Sequence, residues 1–457
     1  MQAQAVINEK EIIISKRKLP KTVDYAVQFI LYFLIALSLA IGNSWLMLET
    51  VLLTLIYALV GRLEFVFYLI VSLAIYQNSF TIFGRNAAFA VVWVFLFRML
   101  LKSKFSFAKR QTSLVCMSVI LLLEFATDFF IDSWGEFLVV FSYVIFFLYV
   151  LCNIDVLEID VKEFLFCYTF AFLAATVYVF HTYGGVVDYL TVFLSAPDSY
   201  RFAIAEGTAV GGAMEIPLHA LLIISVSVVL LLERKDLSTV QKVGMGAIIV
   251  YTTMIGALTI SRSFILGGAI ILLLVLVVVA RTNTRLFFGL LLMMMGLAVG
   301  VYILMPNVVE RIFLNFFERI TTDTGGGSGR GLIWINCIKY LLERPMRLLF
   351  GCGASRYVTL GVGGDVMDMG YGAHNLFLDV LMSWGGVGFV CVALLVVNTL
   401  LRIKKKKPKQ KMLYYIPLIT YFAFAITALR AVELVTWSYL IVCILVIKTF
   451  SKERNKR

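Results

Sequence analysis

Histidine is scarce in this chain, three in 457 residues, and one of the three stands in chemically suggestive company. His374 follows Tyr371, Gly372 and Ala373 and precedes Asn375, where a long polar segment runs into an apolar one. With an ordinary pKa near ~6.5, an imidazole at such a boundary can take a proton from an attacking hydroxyl. His219 lies inside an apolar run and reads as a hydrogen-bonded packing residue, while His181, at the end of another, is ambiguous. Arg262 is the second candidate. It sits in Thr259-Ile260-Ser261-Arg262-Ser263, where two apolar runs meet with almost no loop, so its charge is held at the edge of hydrocarbon. An arginine there is costly and marks a functional position by default. Arg330, in Gly329-Arg330-Gly331, joins it, and Arg430 occupies another boundary, although Glu433 three residues on offers it an ion pair. A guanidinium presents its donors in a planar fork that grips an oxyanion with two bonds at once.

The elements that must position these groups are membrane helices. The chain is 61% hydrophobic and 15% charged, against roughly 45–50% apolar for a soluble protein. That excludes a soluble enzyme. Fourteen apolar runs are read at 24–41, 45–61, 63–80, 87–101, 112–128, 137–152, 164–182, 212–232, 243–260, 263–281, 286–305, 374–401, 412–429 and 431–449. Each is predicted to be a helix, because backbone groups in hydrocarbon find partners only along their own segment. The fold class is therefore an all-α polytopic membrane protein. The net charge of +12 is scattered over short connecting segments, which reads as topogenic charge and excludes a nucleic-acid partner. Seven cysteines without CxxC spacing read as small core residues. Asp365, Asp368 and His374 match no metal-site spacing, so no metal is expected, and no GxxxxGK[ST] run points to ATP. The first 23 residues are polar and a full-length span follows, so no cleavable signal is expected.

Basic residues set the sidedness. The N-terminal segment, 98–110, 402–411 and the tail after Ser451 are rich in lysine and arginine and are expected in the cytoplasm, which places both termini there. Residues 1–305 then form eleven spans with a smaller external segment at 183–211, residues 306–373 form a large external segment, and residues 374–457 form the last three spans and a basic tail. Within the large segment, Val308–Ile320 and Leu332–Leu342 are predicted to be amphipathic helices separated by the turn-forming run Thr324 to Gly329, a lid or platform on the membrane. Sorted by this topology, eleven of the 40 basic residues lie outside, ten arginines and one lysine, whereas the other 29 comprise 19 lysines and ten arginines. Selection on charge explains the number; the bias in type points to phosphate, on a substrate or on interfacial lipid.

One succession carries a resemblance. Gly329-Arg330-Gly331, Trp334, Glu343-Arg344-Pro345, Gly351-Cys352-Gly353, His374-Asn375 and Gly385-Gly386-Val387-Gly388 follow one another, with the Ser261-Arg262-Ser263 turn two spans upstream of the large segment. This resembles the O-antigen polymerase and O-antigen ligase superfamily of bacterial membrane glycosyltransferases, over residues 240–400 or so. The resemblance implies a GT-C-like fold in the bacterial cytoplasmic membrane, with the active site on the extracytoplasmic face and no cofactor or metal. It implies a donor glycan on undecaprenyl pyrophosphate, added to a growing O-antigen or capsule repeat-unit chain. Membrane lipids and a chain-length regulator would be the further partners. Carried over, Arg262 and Arg330 match the arginines assigned to the pyrophosphate, His374 the base, and Asn375 the adjacent polar residue. Arg201 with Gly211 or Gly212, and Arg319 with Gly329, fit the spaced Arg-to-Gly patterns of polymerases. Arg344, Arg347, Tyr371 and Arg430 complete the expected substrate contacts. One departure is at Ser263-Phe264, where many members carry a glycine after the arginine; the bulk of Phe264 puts the approach of the carrier to Arg262 in question. Three readings compete: a ligase moving the finished glycan to a lipid or protein, a flippase, and a non-catalytic glycan-binding scaffold. The acids within spans, Glu49, Glu124, Glu215 and Glu433, lie toward the outer ends and no repeated halves are visible, which favours chemistry over transport.

Overall fold

The computed structural model describes residues 20–76, 79–82, 85–102, 111–128, 134–154, 159–195, 202, 215–234, 236–304, 306, 310, 330–353, 373–406, 411–427, 429 and 433–453. Apart from one two-residue antiparallel pairing, β1 (Thr81–Ile82) with β2 (Arg85–Asn86), the regular elements described are helices, most of which fall on the apolar runs. The first group is α1 (Lys21–Ile41), α2 (Ser44–Val60), α3 (Leu63–Leu73, continued by a 3-10 turn to Tyr76), α4 (Ala88–Lys102), α5 (Gln111–Asp128), α6 (Trp134–Cys152) and α7 (Val161–Thr182). A short α8 (Val186–Ser195) stands in the smaller polar segment. Next come α9 (Glu215–Glu233), α10 (Thr239–Leu258), α11 (Arg262–Thr282) and α12 (Thr284–Leu304). The larger segment holds α13 (Arg330–Leu342) and α14 (Pro345–Phe350), and the chain ends with α15 (Leu376–Lys406), α16 (Ile416–Ala425, after a 3-10 turn Met412–Tyr415) and α17 (Leu434–Glu453). Six of these, α1, α7, α9, α10, α11 and α15, are long and apolar enough to cross a membrane, and α2 to α6, α12, α16 and α17 are shorter apolar helices.

Local chemistry sets where the helices begin and end. Asn43 caps α2, its side chain accepting from the amides of Trp45 and Leu46 at 2.9 and 3.2 Å, and Asp160 caps α7 in the same manner. Ser238 and Gln241 form a reciprocal capping box at the start of α10. Helices α3, α9 and α17 are apolar on every side and buried along most of their length, as the centre of a bundle requires. Around them α1 packs on α7, α5 on α15, α9 on α10 and α11 on α16. Outward faces leave Phe33, Leu59, Val250, Leu273 and Leu292 exposed, a surface suited to lipid rather than water.

The last third departs from the expected pattern. The run 374–401, predicted as one span, is two helices: α15 breaks at Gly385, whose φ of 63° no ordinary side chain adopts easily. The break releases the carbonyls of Met382 and Ser383, and these accept bonds from the amides of Cys352 (2.7 Å) and Gly353 (2.9 Å). Gly351, with φ 77°, lies so close that a Cβ there would come within 2.3 Å of the Ser383 oxygen, and a Cβ on Gly385 within 2.3 Å of Leu349 backbone. The two glycine-rich motifs are thus halves of one backbone-to-backbone joint. Beside the joint, Ile333, Cys337, Leu341, Cys352, Ala373 and Met382 form a second, smaller core that fixes α13 and α14 to the upper half of α15. The predicted helix 332–342 is present as α13; the predicted helix 308–320, but for residue 310, lies outside the described residues.

Candidate active site

Arg262 is the first residue of α11 and is delivered by a three-residue corner, Thr259 to Ser261. After α10 ends, Ile260 takes φ 48° and Ser261 extends into α11. A β-branched residue in the left-handed region is an outlier that costs on the order of 1–3 kcal/mol and persists where surrounding contacts impose it. Here they do: the Ile260 amide donates to the Ala257 carbonyl, and the amide of Phe202, from the smaller polar segment, donates to Leu258 at 2.9 Å. Phe264, whose bulk put carrier approach in question, is buried with its ring over Gly256 of α10, where an added Cβ would lie 2.2 Å away. The ring thus fills the notch that the glycine leaves.

Across from this corner lies the C-terminal end of α16. Ser263 and Thr427 exchange a hydroxyl hydrogen bond of 3.1 Å, and Arg330, the first residue of α13, donates through Nη1 to the Thr427 carbonyl. A cation on the last carbonyls of a helix is also favoured by its dipole. Burial, and then the like charge of Arg262, push the Arg330 pKa below its ordinary value, so the two guanidiniums lie close enough to interact. Arginine nevertheless stays protonated, so the two carry like charge toward the same region.

One turn along the same face of α13, Trp334 donates from Nε1 to the Ala373 carbonyl at 2.8 Å. That carbonyl belongs to the peptide bond leading into His374, which has φ 49°; it and Ile260 are the non-glycine residues of positive φ among those described. The Ala373 amide donates to Oδ1 of Asp379 at 3.0 Å. His374 is half-buried with its Nδ1 enclosed. Asn375 caps α15, its Oδ1 accepting from Phe377 and Leu378 at 3.0 and 3.2 Å. Thr427 thus links Arg330 to Ser263, the neighbour of Arg262, and α13 links Arg330 through Trp334 to the residue before His374.

The remaining expected contacts fall elsewhere. Arg344 lies over the Tyr340 ring at 4.2 Å, and Arg347 donates to the Gly351 carbonyl at 3.2 Å. Both lie beyond the C-terminal end of α13, Arg344 just before α14 and Arg347 within it. Arg201, Arg319, Tyr371 and Arg430 lie outside the described residues. Sequence reasoning passed over Thr427 and Asp379. Thr427 acts largely through its backbone carbonyl, which leaves no trace in residue type. Asp379 did carry a signal: an acid in the first turn of an apolar run, five residues after His374. No curated protein matches the chain. Residues 247–393, from α10 through the break in α15, match the O-antigen ligase family model, in agreement with the O-antigen polymerase and ligase superfamily.

Proposed function

We propose that the chain is a metal-independent membrane glycosyltransferase that polymerises a polysaccharide. It would take a glycan from an undecaprenyl-pyrophosphate donor and attach it to the non-reducing end of a lipid-linked repeat unit, within a GT-C-like bundle of fourteen crossings and on the extracytoplasmic face. The interaction of Arg330 with Arg262, together with the Trp334 bond from the same helix to the residue before His374, supports this reading. Cleaving the sugar from pyrophosphate puts negative charge on the leaving oxygens, where two fixed guanidiniums stabilise it as it develops. One preplaced donor of this kind is typically worth ~2.7–4 kcal/mol. The acceptor hydroxyl is a poor nucleophile until a base takes its proton, a contribution of about 10²–10⁴ in rate that falls to His374.

The description of the matched family favours a second reading, transfer of a finished glycan to a lipid or protein acceptor. The same three residues would serve, and the acceptor alone separates the two. Reconstituted protein given only lipid-linked repeat units should build a ladder of polymers; a ligase would leave them unextended until a second acceptor is added. His374→Ala and Arg262→Ala are each expected to abolish the ladder while membrane insertion persists. A variant with the wild-type length distribution would remove that residue from the mechanism.

A further inference from the structure

His374 holds a backbone conformation that histidine adopts at some cost, and the structure shows what imposes it. Ala373, the residue before it, is held on both sides: its N–H, in the peptide group that precedes Ala373, donates to Asp379 Oδ1 at 3.0 Å, and its carbonyl, in the peptide group that leads into His374, accepts from Trp334 Nε1 at 2.8 Å. Ala373 and Asp379 are both 0% exposed. A buried carboxylate is expensive unless hydrogen bonds compensate it. The N-terminal turn of α15 supplies a favourable dipole, but capping does not explain this acid. Asn375 already caps the helix through two amides, whereas the Asp379 carboxylate reaches back past the cap to an amide outside it. That bond holds the backbone of Ala373, from which His374 departs.

We propose that Asp379 is a positioning residue for His374, acting with Trp334 as a two-sided clamp on Ala373, the residue whose backbone leads into His374. The inference rests on His374 being the base of the proposed transfer. Its action is geometric: a shift of about 1 Å at a reacting group can lower a rate about 10²-fold. The acid is needed as an acceptor, and the amide oxygen of asparagine can fill that place.

Steady-state transfer by the full-length protein in vesicles, with a lipid-pyrophosphate-linked repeat unit as substrate, tests this. Asp379→Ala and Trp334→Phe are each expected to lower kcat by about 10–100-fold with the donor KM within about twofold of wild type. Asp379→Asn is expected to keep kcat within about fivefold. Asp379→Ala combined with His374→Ala should be no slower than His374→Ala alone, because the clamp works only through the imidazole. Wild-type turnover in Asp379→Ala, equal losses in the Asn and Ala variants, or a further fall in the double variant would each overturn the proposal. Wild-type turnover in His374→Ala would instead overturn the reading on which it rests.

Discussion

Two guanidiniums held within interaction distance repel each other, and the repulsion is relieved by an anion that both can bind. Arg330, bonded to the Thr427 carbonyl, feels the like charge of Arg262, whose neighbour Ser263 bonds the Thr427 hydroxyl. The shape of the group matters as much as its charge, since lysine keeps the charge and loses the fork. Arg330→Lys is therefore expected to slow transfer about 10²-fold, near the loss from removing one oriented donor. Initial rates in membrane vesicles measure this, and a rate within about threefold of wild type would show that charge alone suffices. A different residue-scale expectation concerns Cys337, fully buried in the smaller core. Burial, then the nearby Asp379 and Cys352, push its thiol up to about 12. The folded pKa is raised, so the reactive thiolate is withheld throughout the neutral range and appears only as pH approaches 12. Cys337 should resist maleimide at pH ~8 in the native protein and react after denaturation; rapid native labelling would contradict its placement.

At the scale of elements, the decisive feature is the joint between the Gly351 turn and the break in α15. Both glycines carry positive φ and both touch backbone, so neither a rotamer change nor a side-chain shift can make room for a Cβ. Gly351→Ala and Gly385→Ala are each expected to lose about 1–3 kcal/mol from backbone conformation alone, with the clash in addition. Gly386 is the control, because a Cβ there meets nothing closer than the Leu348 carbonyl oxygen at 3.5 Å. Limited proteolysis should cut within 306–373 faster in the first two variants and at the wild-type rate in Gly386→Ala. Since the joint also seats α13, which carries Arg330 and Trp334, transfer should fall with it. The break is the means by which one apolar run serves both the bundle and the site: its upper half holds Asn375 and Asp379 near His374, and its lower half continues as a span.

For the whole molecule, basic residues set an expectation about sidedness that the helix arrangement does not address. The run Lys404 to Lys407 should face the cytoplasm, and the segment 306–373 should lie on the opposite side. Alkaline phosphatase fused after Phe350 is expected to be active, and the same enzyme fused after Lys411 inactive. The reverse pattern would place the cluster on the cytoplasmic face, away from any extracytoplasmic acceptor.

Composition and periodicity were enough to read an all-helical membrane chain, to place helices near 24–41 and 263–281, and to single out Arg262, Arg330 and His374 by type and boundary position. Those features are legible because hydrocarbon demands long apolar runs and because an arginine or histidine at their edge stands out against them. The break at Gly385, the Gly351 turn against it and the Thr427 carbonyl that accepts from Arg330 were not legible in the same way. They depend on backbone atoms from segments far apart in the chain, and a backbone carbonyl or amide is the same in every residue. Which side chains share a face of α13, and which peptide they grip, was decided only when the larger segment packed back onto α15 and supplied partners for the carbonyls that the break had freed.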